Sequence, residues 1–186
     1  GLSGILPGQA AVAYRIWQLS WPIAEAPPTL SWTQEVDRLW ASAELGPARL
    51  TVGRQAVGWG RGVLFGAVDL FAPFTALQAD REWRAGVDAV RLDVKLGQHL
   101  AADAVGAFGP TLDASAFGAR LRGYAGDVDA EIVLGWRARD AFAGLTASAA
   151  VGDVELHAEA ALFRTPDPWP GALGGGSRLV PMAMAG

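Results

Sequence analysis

Glu155, His157 and Glu159 stand two residues apart, a spacing that puts all three on one face if the segment is a β-strand. Two such groups can share a metal ion, but the remaining ligands would have to come from elsewhere, and the only other histidine is His99. No metal site is expected from this set. Ser148 beside His157, with an acidic neighbour, has the ingredients of nucleophilic catalysis. No motif surrounds Ser148, however, and the Gly174–Gly176 run follows no strand-to-helix pattern that would cradle a phosphate. With no cysteine for thiolate chemistry, the expectation is a non-enzyme without a cofactor.

The abundant chemistry is ionic. Arg91, Lys95, Arg120, Arg122, Arg137 and Arg139 fall on alternating positions, among Asp93, Asp103, Asp129, Glu131, Glu155 and Glu159. Rings of Arg and Lys favour anionic solutes in a pore. The same residues can instead pair with the carboxylates into a salt-bridge lattice, and the spacing leaves both readings open.

The elements that carry these residues alternate with period two. Val128, Ala130, Ile132, Leu134, Trp136 and Ala138 share one parity, while Asp129, Glu131, Val133, Gly135, Arg137 and Arg139 share the other. A strand separates those sets onto two faces; a helix would mix them. The test repeats at Val90–Leu96, Phe117–Leu121 and Val154–Leu162. Nine strands are expected, near 11–21, 32–45, 48–59, 85–97, 99–108, 115–125, 128–139, 142–151 and 154–164. Two-residue turns are expected at Gly46-Pro47, Gly97-Gln98, Gly126-Asp127 and Gly152-Asp153, with longer links at 22–31, 60–84 and 109–114 and one short exception near 140–141. Such sorting of short turns to one end and long loops to the other is characteristic of outer-membrane barrels.

Composition narrows the class further. The chain of 186 residues is 51% hydrophobic, with 15 Lys plus Arg against 19 Asp plus Glu, a net charge of −4. A disordered chain is excluded by that balance, and the absence of a basic block argues against nucleic acid. The longest uncharged stretch, Gly1–Tyr14, contains Ser, Gln and Pro and is too short for a spanning helix. Its start does not read as a signal peptide, so a processed chain or part of a longer one is expected. The apolar parity is rich in Ala, Val and Leu, with little of the bulk that a jigsaw core needs, whereas lipid needs no such fit. Trp21, Trp32, Trp59, Trp83 and Trp136 fall near the long-loop ends of the expected strands, where indoles would form an interfacial girdle.

The stretch 49–74 carries Gly53, Arg54, Gln55, Trp59, Gly60, Asp69, Leu70, Phe71 and Pro73. This pattern resembles the Gly-Arg-Gln…Trp-Gly…Asp-Leu-Phe-x-Pro signature of porin-like outer-membrane barrels, the alginate-export family and its relatives. Asp37-Arg38-Leu39 and Gly86-Val87-Asp88-Ala89 also look like that pattern. The resemblance implies a Gram-negative outer-membrane channel, inserted in lipid by barrel-assembly machinery. Such barrels usually hold an even number of strands and end on a closing strand with a terminal aromatic. The nine strands here and the Gly/Pro-rich ending suit a front portion or a reduced barrel. Independently of family, Arg54 breaks the parity of Leu50 and Val52, and a bulge at Gly53 could re-aim it inward. Gln55, Trp59 and Asp69 could then anchor the 60–84 loop against the wall or fold it into the lumen.

The expected architecture is therefore all-β: an up-and-down antiparallel transmembrane barrel, or an open front portion of one. It has a lead-in at 1–10, a sheet over 11–164 and a tail or truncated loop at 165–186. Lumen candidates are Arg91, Lys95, Arg120, Arg122, Glu131, Arg137, Arg139, Glu155, His157 and Glu159. The expected function is passage of small hydrophilic solutes, anions among them. The rivals are a structural or secretory barrel component, and a soluble β-barrel holding an apolar ligand.

Overall fold

The computed structural model describes residues 14–17, 19–26, 30–59, 71, 85–137, 140–164 and 179–185. These form eleven strands: β1 (Ser20–Ala26), β2 (Leu30–Glu35), β3 (Leu39–Leu45), β4 (Ala48–Gln55), β5 (Val87–Lys95), β6 (Leu100–Ala107), β7 (Ala116–Ala125), β8 (Val128–Arg137), β9 (Asp140–Val151), β10 (Val154–Arg164) and β11 (Leu179–Ala185). β1 and β2 make a separate two-stranded sheet, and β3 to β11 make one nine-stranded sheet in strict sequence order. Every pairing is antiparallel. Among the described residues there is no α-helix, and the sheet is not closed into a barrel: β3 and β11 are its open edges. Eight antiparallel steps separate those edges, so they run in the same direction.

The two faces of this sheet are unlike. On β8, Glu131 and Val133 are 1% and 0% exposed, while their neighbours Ile132 and Leu134 are 52% and 57% exposed. The same alternation continues at Asp103, Arg120, Thr146 and Glu159, all buried, against Leu92, Leu121, Leu145 and Leu156, all exposed. Charge is enclosed and aliphatic surface is open, the reverse of a water-soluble core. Near the long-loop end the inner face also holds an apolar cluster. Val87, Val105, Ala116, Val133, Phe142 and Ala161 of the sheet meet Tyr14, Val57, Trp59 and Phe71 from irregular segments.

Tight turns link β3 to β4, β7 to β8 and β9 to β10, with Gly46, Gly126 and Gly152 at φ of 64°, 61° and 64°. L-residues rarely adopt that region, which explains glycine in all three. The expected turn at Gly97-Gln98 is instead a four-residue connection, 96–99, closed by Leu96 N donating to Leu100 O at 3.0 Å.

Other expectations need correction. Within 11–21, residues 14–17 are not a strand, because their polar groups are drawn to β5: Asp88 N donates to Tyr14 O at 2.8 Å. The span 32–45 is broken at 36–38, where Val36 O accepts from Arg54 and Asp37 from Arg15 rather than from a neighbouring strand. The segment 22–31 is mostly the β1–β2 hairpin, with a register irregularity between Pro22 and Ala24. The 165–186 tail contains β11, whose Pro181 lies opposite Leu162 on an edge strand, where a missing N–H is tolerated.

Gly53 has φ +126° while the β3–β4 and β4–β5 ladders continue through it without a register shift, so no extra residue is inserted there. A Cβ at this position would lie 2.4 Å from Leu39 O and 2.8 Å from Trp40 Cα. Gly53→Ala should therefore destabilise the folded chain by about 1–3 kcal/mol, read as a lowered urea midpoint in detergent. Gly97→Ala, which would meet nothing within 4 Å, should leave the midpoint unchanged.

Candidate functional site

Strand pairing aligns the inner-face residues in rows. One row runs Arg49, Asp93, Asp103, Arg120, Val133 across β4 to β8. Arg120 Nε donates to Asp103 Oδ1 at 2.8 Å, and its Nη1 to Glu131 Oε2 at 3.1 Å. Arg91 donates to Asp93 at 2.6 Å and reaches within 3.8 Å of Asp103. The Trp59 indole N–H completes the set, donating to Asp103 Oδ2 at 2.8 Å. Its ring lies 5.5 Å from the Arg120 guanidinium carbon and 4.9 Å from Phe71, edge to face. A Cβ on Gly118 would come within 2.7 Å of that indole, so glycine there lets the ring lie against β7.

The expected lumen residues thus resolve into different roles. Arg91, Arg120 and Glu131 are members of the ionic lattice. Lys95 and Arg122 are exposed at the short-turn end, and Arg137 is half-buried with its guanidinium 5.9 Å from the Tyr14 ring. Glu159 is buried, His157 half-buried and Glu155 exposed. Arg139 lies outside the described residues, so the expected column of Arg120, Arg122, Arg137 and Arg139 is traced only through its first three members. Ser148 is aligned with His157 on one side and Asp129 on the other. The serine therefore stands between them, whereas a relay needs histidine in the middle. His157 Nε2 has no hydrogen-bond partner among the described residues. No group of three metal-ligating side chains occurs among those residues.

At the long-loop end a second cluster gathers residues distant in sequence. Arg54, 3% exposed, grips Asp88 with Nε at 2.7 Å and Nη2 at 3.1 Å, and donates to Val36 O at 2.8 Å and Trp17 O at 2.6 Å. Ile16 N donates to the same carboxylate at 2.8 Å. Arg15 bonds Gly86 O at 2.9 Å and Asp37 at 3.0 Å, and pairs with Glu35. Burial, and then the Arg54 charge, push the Arg15 pKa down, while Asp37 and Asp88 pull it back. Gly86 N donates to Asp37 at 3.0 Å, and a Cβ on Gly86 would fall 1.9 Å from Asp37 O. Gln55 Nε2 donates to Ala89 O at 3.2 Å. The segments 37–39, 53–55 and 86–89, which carry the sequence pattern, therefore meet at one place. Gly60, Asp69, Leu70 and Pro73 lie outside the described residues.

Trp59 corrects the expected girdle. It is 1% exposed, on the inner wall, because Asp103 takes its N–H and Gly118 makes room for its ring. Trp21, Trp32 and Trp136 are exposed, and Trp83 lies outside the described residues. Period-two alternation does not reveal Arg15, because long-range bonds replace the strand that it suggests over 14–17. Nor does it reveal the central place of Asp103, whose Ala-rich strand shows only weak alternation.

No protein-family model, curated protein or solved structure matches this chain.

Asp103→Ala would strand two buried donors at once. It should cost about 3–5 kcal/mol, the scale for breaking a buried ion pair, measured by denaturant unfolding in detergent. Asp103→Leu combined with Arg120→Met should cost less than the sum of the two single changes, since it removes both charges together.

Proposed function

We propose that this chain forms the wall of an outer-membrane channel, with its open aliphatic face against lipid and its charged face toward an aqueous path for small hydrophilic solutes. The observation that carries this reading is the inversion of the sheet. Ile132, Leu134, Leu145 and Leu156 are exposed in the same strands that bury Glu131, Thr146 and Glu159. Water penalises such a continuous apolar surface, and lipid does not. Tight turns at one end and longer links at the other agree with it, the two-residue link 138–139 between β8 and β9 excepted, as does the convergence of the porin-like pattern around Arg54. Exposed Trp136, near the long-loop end of β8, suits the level where lipid meets water.

One observation favours a second reading. Tyr14, Val57, Trp59 and Phe71 pack over the inner face near the long-loop end, as a seal would. A structural or secretory barrel component would use such a seal, while a channel requires a path past it. Conductance across a planar bilayer decides between the two: steady channels support passage, and insertion without conductance supports the structural role.

The lipid-facing assignment has its own test. Ile132→Arg should weaken insertion by about 2–4 kcal/mol near the bilayer midplane, measured by partition between folded, vesicle-bound and aggregated protein. Equal insertion, or a monomer that remains dispersed in water without detergent, would overturn it.

A further inference from the structure

A cavity of about 740 Å³ lies on the inner face toward the short-turn end, between β3 and β7. Its cations are Arg38, Arg49, Arg91, Lys95 and Arg122. Three are already engaged: Arg49 with Glu44 at 2.5 Å, Arg91 with Asp93 at 2.6 Å, and Arg38 with Asp37 at 3.4 Å. Among the described residues, Lys95 and Arg122 have no ion-pair partner, because Glu131, aligned with Arg122 on β8, is bonded to Arg120 instead. They belong to one row, each aligned with Ala101 of the intervening strand β6. Two strand spacings put their backbones ~10 Å apart, and both side chains are exposed. The methyl group of Ala101 is too short to fill the gap between them. Lys95 is also the only lysine of the chain, in a protein whose other fourteen basic residues are arginine.

We infer that Lys95 and Arg122 form a binding site for a small dianion, each cation taking one of its two negative charges above Ala101. This rests on the reading of the charged face as the water-facing side of the wall, and it names the solute class that this face would hold. The preference for two charges is Coulombic. A monoanion satisfies one cation and leaves the other as it was, whereas a dianion is attracted by both. Arg122 adds a planar fork that fits carboxylate or phosphate, and Lys95 adds a compact charge that can adjust to either. Two carboxylates on one molecule and a single phosphate share this chemistry.

The lone lysine makes the site directly readable. In detergent-folded protein, Lys95 is acetylated with an amine-reactive ester and the modified peptide is followed by mass spectrometry, apart from the N-terminal amine. Succinate, inorganic phosphate, acetate and potassium chloride are compared at matched ionic strength. At a dianion concentration ~10 times its dissociation constant, acetylation of Lys95 should slow ~10-fold, with acetate and chloride giving no such effect. Protection by succinate alone identifies a dicarboxylate, and by phosphate alone a phosphate. Arg122→Gln should abolish protection, each variant being compared with its own anion-free acetylation rate, and Arg122→Lys should retain it. The inference is overturned by equal protection from acetate, by protection that survives in Arg122→Gln, or by a Lys95 that does not react without anion. Conductance plays no part in this readout. A protected Lys95 in a chain that forms no channel would sink the channel and keep the site, and the opposite pair of results would do the reverse.

Discussion

A carboxylate removed from water must be given donors by the protein, and Asp103 receives them from three directions. Arg120 reaches it from β7, Arg91 approaches from β5, and the Trp59 indole comes from the segment that follows β4. One buried side chain thereby fixes the register of three neighbouring strands and the position of a segment that belongs to none of them. Its cost when unsatisfied is what gives it that authority, because a buried ion without partners is worse than no ion at all. Glu131, taking the other arm of Arg120, extends the constraint to β8.

An ionic inner wall changes what holds the sheet together. Many of the aliphatic residues that ordinarily drive folding point away from the enclosed side here, so the chain itself gains little from their burial. Within the protein, the ladder hydrogen bonds and the lattice of arginines and carboxylates supply most of the specificity. The inner apolar cluster around Val105, Ala116 and Val133 is small-sided, and it gains bulk only where Tyr14, Trp59 and Phe71 come down on it. That arrangement lets irregular segments lie close against a wall whose own side chains are short, as the space at Gly118 illustrates.

Arg54 plays the corresponding part at the opposite end from the tight turns. Its fork holds both oxygens of Asp88, and its remaining donors tie down the carbonyls of Val36 and Trp17. The chain before β1, the break between β2 and β3, and the start of β5 are thus joined through one guanidinium. Glycine at 53 and 86 is demanded by the close approach of the backbones around it, not by flexibility. The pattern linking these residues was visible as letters, and its meaning is a junction of distant segments.

Period-two alternation determined much of this protein by itself. It located β5, β7, β8 and β10 and separated their apolar and charged side chains onto opposite faces, because a strand sends successive side chains to opposite sides regardless of what lies beyond. The same rule failed at 11–21 and 36–38, where alternating letters are overruled by long-range bonds to Arg54, Asp37 and Asp88 that no local pattern encodes. Only the tertiary structure decided that Arg120 is paired while Lys95 and Arg122 remain open: Glu131 is aligned with Arg122, yet it bonds Arg120, which Asp103 holds from the other side. Only it turned Trp59 inward, for an indole goes where its N–H finds an acceptor and its ring finds space, and both were supplied by β6 and β7, far along the chain.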